Sequence, residues 1–264
     1  MTLGIIAGSG ALPEMLLAAI PAAVLVRLKG VATNVADTGT VIDAEFERLG
    51  DLFVALHDVG VTELVFAGAM QRPKLNPTRL DGPTMKLVPR IMAALSKGDD
   101  GLLREVLTIF TEAGFEIKAA HDILPDLVLG DGVLVGELDA QTKADATRGM
   151  EILTALGGMD VGQGCVVAKG QCIGIETLQG TDRMLEFVAA TQDRVPGGGV
   201  LVKRAKTGQD LRIDMPTVGP DTIAAAAAAG LTGICVQAGY VLVLNKKACM
   251  AAATAAGITI WASP

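Results

Sequence analysis

Asp214 is the residue whose setting most invites chemistry. It lies in residues 211–222, Leu-Arg-Ile-Asp-Met-Pro-Thr-Val-Gly-Pro-Asp-Thr, which read as the end of a short strand carrying a carboxylate into a loop. Pro216, Gly219 and Pro220 shape the turn, because proline fixes φ and removes an amide donor while glycine allows turns that other residues resist. Asp221 and Thr222 stand where an N-cap belongs, ahead of the Ala-rich run 224–229. A carboxylate so placed suits metal or acid–base chemistry. The stretch by itself favours the plainer reading, in which Asp214 pairs with Arg212 or caps the loop. Asp99 and Asp100 add two carboxylates at the start of another helical stretch. Adjacent Asp residues cap a helix and favour its dipole; two exceed what a cap needs, which leaves a share in divalent-metal binding open.

Two glycine-bearing loops offer anion chemistry. Residues 3–7 form a short buried strand that runs into Gly8-Ser9-Gly10-Ala11-Leu12-Pro13, with Pro13 in the first turn of the next helix. Strand, glycine turn and helix start aim free amides and the positive dipole end at an anion such as phosphate. This is half of a dinucleotide fingerprint. Pro13 replaces the third glycine, and the second strand, residues 23–28, ends in Arg27 and Lys29 instead of a ribose-binding acid. Only an NADP variant tolerates those cations. A third strand, residues 63–67, runs into Gly68-Ala69-Met70-Gln71-Arg72-Pro73, a second candidate ligand loop. Later, Lys203, Arg204 and Lys206 suit an anion such as a pyrophosphate, and Gly180-Thr181-Asp182 opens a helix with Thr181 as its N-cap.

The elements that must position these residues follow from composition and periodicity. Of 264 residues, 50% are hydrophobic but only 3% aromatic, so the core is Ala, Val, Leu and Ile, as in proteins with buried parallel strands. The order β-α-β-α-β predicts a parallel sheet whose ligands bind beyond the strand carboxyl ends. Helices are expected over 45–59, where His57 is a surface or half-buried residue, and over 86–95, 102–112 and 144–156. A strand covers 116–119, leaving His121 and Asp122 just beyond it. Residues 165–168 and 172–176 read as an antiparallel hairpin turning at Gly170, and 240–244 as a late strand. The pattern loosens at 124–147, which places a boundary between domains 1–133 and 134–264. The fold class is α/β, a parallel-sheet domain followed by a mixed α/β domain.

The net charge of −7 argues against nucleic acid as a partner, for want of excess cations. No apolar run approaches a membrane span, and the amino terminus lacks the basic and apolar regions of a signal peptide. Cys165, Cys172, Cys235 and Cys249 form no Cys-x-x-Cys pair, and read as buried free thiols of a cytoplasmic protein.

Seven collinear segments, GIIAGSGALP from Gly4, FAGAMQRP from Phe66, KGDDGLLR from Lys97, GFEIKAAH from Gly114, VGQGCVV from Val161, GTD from Gly180 and RIDMPTVG from Arg212, resemble the LpxI family of UDP-2,3-diacylglucosamine pyrophosphatases of lipid A biosynthesis. The resemblance spans essentially the whole chain. It implies a dimeric enzyme with a Rossmann-like UDP-binding domain ahead of a lipid-product-binding domain. The implied reaction is hydrolysis of UDP-2,3-diacylglucosamine to UMP and 2,3-diacylglucosamine 1-phosphate (lipid X), assisted by Mg²⁺ or Mn²⁺, with water attacking the sugar-side phosphorus. By position, Asp214 is its catalytic or metal-binding acid, and Asp99 and Asp100 assist. Gly8, Ser9, Gly10, Ala11 and Leu12, with Gly68, Ala69 and Met70, would face the nucleotide. Gln163, Thr181, Asp182, Lys206 and Gln209 would lie near the substrate. Ser9, Gln179 and Thr207 depart from the family's usual glycine, acid and proline. The implied location is the cytoplasm, with transient visits to the inner-membrane surface. Two other readings are an NAD(P)-dependent oxidoreductase and a non-catalytic nucleotide- or lipid-binding protein.

Overall fold

The computed structural model describes residues 2–33, 35–36, 39–70, 75–96, 98–194 and 197–264, with Arg194 described in its backbone alone. The chain divides into two compact units, Met1–Pro125 with Asp210–Asp214, and Asp126–Gln209 with Met215–Pro264.

In the first unit, β1 (Thr2–Ala7), α1 (Leu12–Ala19), β2 (Val24–Leu28), β3 (Val41–Ala44), α2 (Leu49–Asp58), β4 (Val61–Ala67), α3 (Gly82–Leu95), α4 (Asp99–Glu112), β5 (Glu116–Lys118) and α5 (Ala120–Ile123) follow in turn. Their strands pair in parallel in the order β3-β2-β1-β4-β5. This is the doubly wound, Rossmann-like order, and its switch point lies between β1 and β4, where ligands of such sheets bind. The aliphatic runs Leu3, Ile5, Ile6 and Leu25, Val26 are buried, as strands covered on both faces require. Aromatic residues are few, yet four of the six phenylalanines meet in one cluster. Phe53 and Phe66 each stand edge-on to Phe110, at 5.1 and 5.2 Å, and Phe115 packs beside them.

Two expectations change here. The helix expected over 45–59 begins only at Leu49, and ahead of it residues 41–44 form β3, an edge strand of the five-stranded sheet. Glu45 then turns out of the strand to accept from Lys29 at 2.9 Å and from Arg79. The helix expected from residue 102 begins at Asp99, with Gly98 as its N-cap. His57 is exposed, stacked on Phe115 with its Nε2 3.0 Å from the Ala113 carbonyl oxygen.

The second unit contains β6 (Gly132–Val135), α6 (Ala140–Gly157), β7 (Gly164–Ala168), β8 (Gln171–Ile175), α7 (Gly180–Ala190), β9 (Val200–Lys203), β10 (Thr217–Val218), α8 (Pro220–Ala228), β11 (Gly233–Gln237), β12 (Leu242–Val243), α9 (Lys246–Ala256) and β13 (Thr259–Ser263). A mixed sheet of order β6-β13-β11-β9-β7-β8 has a parallel centre, β9, β11 and β13, flanked by antiparallel strands. The hairpin at Gly170 forms as expected. The strand expected over 240–244 shrinks to β12, which pairs with the two-residue β10 and bridges Val128 through Leu242. Gly149 lets α6 press on the sheet, since a Cβ there would stand 2.4 Å from Val202 Cγ2.

Three of the four thiols are buried, and burial pushes Cys235 up to about 12 and Cys249 up to about 11, as inert structural thiols behave. Cys172 is instead exposed, because β8 is an edge strand with an uncovered face.

Candidate active site

In the first unit the two glycine loops lie together at the carboxyl ends of β1 and β4. The Gly8 amide donates to the Ala67 carbonyl at 2.7 Å. Ser9 and Ala69 exchange amide hydrogen bonds at 2.9 and 3.0 Å, and the Ser9 hydroxyl adds a bond to the Ala69 carbonyl at 3.1 Å. This approach depends on missing side chains: a Cβ on Gly8 would sit 2.6 Å from the Ala69 oxygen. On Gly68, where φ is +90°, it would sit 2.4 Å from the Ser9 oxygen. Residue types at both positions are thus fixed by backbone contact. Gly10 and Ala11 lead into α1, whose N-cap, Ala11, has no capping side chain, so its first-turn amides are available to an anion. Leu12 is buried and can serve a ligand only through its backbone. Gln71, Arg72 and Pro73 of the second loop, and Lys97, lie outside the described residues. Arg27, which an NADP phosphate would require, is paired with Asp43 through Nε at 2.8 Å and Nη2 at 3.0 Å.

Asp214 leaves a turn, not a strand. Leu-Arg-Ile alternates as a strand does, but Asp210 wins locally. Its side chain accepts from the Arg212 amide at 3.1 Å and from the Arg212 guanidinium at 2.9 and 2.7 Å. Its carbonyl accepts from the amides of Ile213 and Asp214 at 3.2 and 3.1 Å. Such Asx turns compete with extended structure. Ile213 packs on the first unit's core with Phe66, Met70 and Val106, and Asp214, next to it, is half-buried. At the start of α4, Asp99 and Asp100 occupy the first turn, and Asp100 accepts from Arg104 Nε at 2.7 Å. The hydrogen bonds from Arg212, joined by the nearby charge of Arg104, hold the Asp210 carboxyl below its ordinary value of 3.8. Asp210 was not singled out by the sequence; the signal present was an Asp two residues ahead of Arg212, at Asx-turn spacing. The N-cap ahead of α8 also differs. Gly219 takes that place with Pro220 after it, while Thr222 accepts the Gly219 amide from within the helix at 3.2 Å.

Among the described residues no group of three or more His, Cys, Asp or Glu side chains is gathered as a metal cage. Mg²⁺ does not need one, since it is commonly held by one or two carboxylates together with substrate phosphates and water. Asp99 and Asp100, adjacent in the first turn of α4, carry hard oxygen donors of that kind; together with Asp214 they form no three-carboxylate group. A cavity of about 410 Å³ lies elsewhere, by the amino-terminal ends of β1 and β2. Its Lys118 is neutralised by Glu63 at 3.3 Å and Glu116 at 2.5 Å.

In the second unit, three of the expected residues meet. Gln209 Nε2 donates to Gln163 Oε1 at 3.2 Å, and Gln209 Oε1 accepts the Lys206 amide at 2.9 Å. Lys206 also pairs with Asp160, and Arg204 with the Thr154 hydroxyl. Thr181 is not an N-cap. Gln179 holds that position, without a capping bond, and Thr181 points inward from the first turn of α7, while Asp182 beside it is exposed. The Thr181 hydroxyl donates to Glu176 Oε2 at 2.6 Å and accepts from Lys203 Nζ at 2.7 Å. Lys203 is 4% exposed and Glu176 6%, with their charged atoms 3.6 Å apart. Sequence reading took Lys203 for one of an anion-facing trio and passed over Glu176. Nothing near either residue signals a partner so distant along the chain.

Sequence comparison now bears on this geometry. A family model described as the LpxI N-terminal domain matches residues 2–127, and one described as the LpxI C-terminal domain matches residues 130–261. The UDP-2,3-diacylglucosamine pyrophosphatase LpxI of Caulobacter vibrioides is 37% identical over 269 residues, spanning 98% of this chain and 96% of that protein. Matched along both halves and nearly end to end, the chain belongs to the LpxI family.

Proposed function

We propose that this chain hydrolyses the pyrophosphate of UDP-2,3-diacylglucosamine, releasing UMP and 2,3-diacylglucosamine 1-phosphate. The near full-length identity to a pyrophosphatase of that name carries the reading. In it, residues 1–133 form the nucleotide domain and 134–264 the lipid-product domain. Gly8, Ser9, Gly10, Ala11 and Leu12, with Gly68, Ala69 and Met70, face the uridine nucleotide beyond β1 and β4. The Gly8, Ser9 and Ala69 amides are taken up in bonds that hold the loops, so the donors to the nucleotide are those at the start of α1. Gln163, Thr181, Asp182, Lys206 and Gln209 serve the lipid side.

A pyrophosphate resists attack because its anionic oxygens repel a nucleophile. Mg²⁺ or Mn²⁺, when bound, neutralises that charge and lowers the pKa of water. Its protein ligands would be one or two of Asp214, Asp99 and Asp100, completed by substrate phosphates and water. Asp214, carried on the turn that Asp210 closes, orients the attacking water. The α1 amides stabilise charge on the departing UMP. No helix among the described residues is long and apolar enough to cross a membrane. In this reading the acyl chains are met at the inner-membrane surface by a peripherally bound, cytoplasmic homodimer.

The test is Asp214→Ala, assayed for UMP release with Mg²⁺, with Mn²⁺ and with chelator. The expected outcome is metal-dependent turnover that falls by at least about a hundredfold in the variant. Full activity in the variant would remove Asp214 from the chemistry, and turnover unaffected by chelator would remove the metal.

A further inference from the structure

The buried Glu176 and Lys203 side chains, joined through the half-buried Thr181 hydroxyl, perform no step assigned above. Burying two opposite charges is costly even when they are paired, and replacing such a pair by apolar side chains is often neutral or stabilising. A pair kept at 4% and 6% exposure therefore calls for a reason besides stability. Its position supplies one. Lys203 ends β9 and lies in register with Gly164, the residue after Gln163. Glu176 follows β8 and is seated against the same turn: its amide donates to the Gly164 carbonyl at 2.8 Å. A Cβ on Gly164 would come within 2.6 Å of Glu176 Oε2. Thr181 belongs to the first turn of α7, and Lys203 Nζ also reaches the Thr217 carbonyl, at 3.4 Å, just ahead of α8. One network thus ties the Gln163 turn to the starts of two helices.

The proton count decides what Thr181 can do. A threonine hydroxyl has one proton to donate, and here it goes to Glu176. It cannot also donate to a phosphate oxygen, so the hydroxyl is a link and only the backbone of this turn is free to meet an anion. We propose that Glu176 is a positioning residue for the pyrophosphatase reaction, acting through the Thr181 hydroxyl and the Lys203 ammonium to fix the first turn of α7 and the Gln163 turn against the lipid-phosphate half of the substrate. This rests on the pyrophosphatase reading.

The experiment compares Glu176→Gln, Thr181→Val, Thr181→Ser and the double variant Glu176→Gln/Thr181→Val with the natural chain. It reads KM for UDP-2,3-diacylglucosamine, kcat per folded molecule, and inhibition by each product. Glu176→Gln and Thr181→Val should each raise KM and weaken inhibition by 2,3-diacylglucosamine 1-phosphate about tenfold, with UMP inhibition unchanged within about twofold. Thr181→Ser, which keeps the hydroxyl, should restore natural values. The double variant should be no worse than the poorer single one, as residues acting in one chain do not add. If Glu176→Gln does not fold, Thr181→Val, which deletes a single hydroxyl, carries the test. Folded variants with natural KM and natural inhibition would overturn the proposal, as would losses that multiply in the double variant. A natural chain that binds both products but turns over no substrate would sink the pyrophosphatase reading instead. A natural chain that binds neither product would overturn both.

Discussion

The two units hold their candidate ligand edges by opposite means. In the first, main chain meets main chain: Gly8 and Gly68 bring two loops close enough for Ser9 and Ala69 to exchange amide bonds. In the second, charged side chains are buried behind the edge, and Lys203, Thr181 and Glu176 fix a helix start that nothing caps. The first edge should therefore fail when an atom is added and tolerate a side chain removed. The second should fail when a polar atom is removed, or when a Cβ pushes the buried carboxylate aside.

Gly162→Ala should have the largest effect among the tests of this contrast. Its φ is +65°, and a Cβ there would lie 2.0 Å from the Glu176 carbonyl oxygen. Backbone strain and overlap together should cost on the order of 3–5 kcal/mol, read by urea unfolding, with turnover lost. A stability within error of natural would show that the Gln163 turn is not held by Glu176. Gly8→Ala comes next, at about 1–3 kcal/mol for overpacking against the Ala69 oxygen. It should weaken UMP binding, measured calorimetrically, while leaving affinity for 2,3-diacylglucosamine 1-phosphate intact. Equal loss of both affinities would break the division of labour between the units.

Asp210→Asn should lower kcat about tenfold by loosening the turn beneath Asp214, with a stability cost of about 1 kcal/mol or less because Arg212 is half exposed. The sign of the pH dependence follows from Asp210 being held below its ordinary 3.8. The carboxylate's contribution is fully present above that value and disappears as pH falls through the lower, folded-state pKa. Unfolding curves of natural and variant proteins should therefore differ by a constant amount at neutral pH and converge only in strong acid. Convergence near neutrality would mean that another group carries the difference. Ser9→Ala should do least, costing about 1 kcal/mol or less, since it removes one neutral hydrogen bond at an exposed loop, and should change turnover by less than about twofold.

How far the sequence foretold this arrangement differs between the units for a physical reason. The glycine loops of the first unit were legible because each clue is local: an aliphatic run, then Gly8-Ser9-Gly10, then Pro13 at a helix start. The hairpin at Gly170 was legible on the same ground. β3 was not, because Val41-Ile42-Asp43-Ala44 is a brief, half-exposed edge and its Asp43 exists to pair with Arg27 on β2. The turn at 210–214 was misread as a strand because alternation was weighed and the Asp210 side chain was not. The Glu176 and Lys203 pair could not be read at all: each looks like an ordinary surface charge until the sheet brings β7, β8 and β9 together.

The account rests most heavily on the substrate. Purified natural chain incubated with UDP-2,3-diacylglucosamine and Mg²⁺ or Mn²⁺ should yield UMP and 2,3-diacylglucosamine 1-phosphate in equal amounts, identified by mass spectrometry. Intact substrate under both metals, or cleavage that releases UDP instead of UMP, would contradict it.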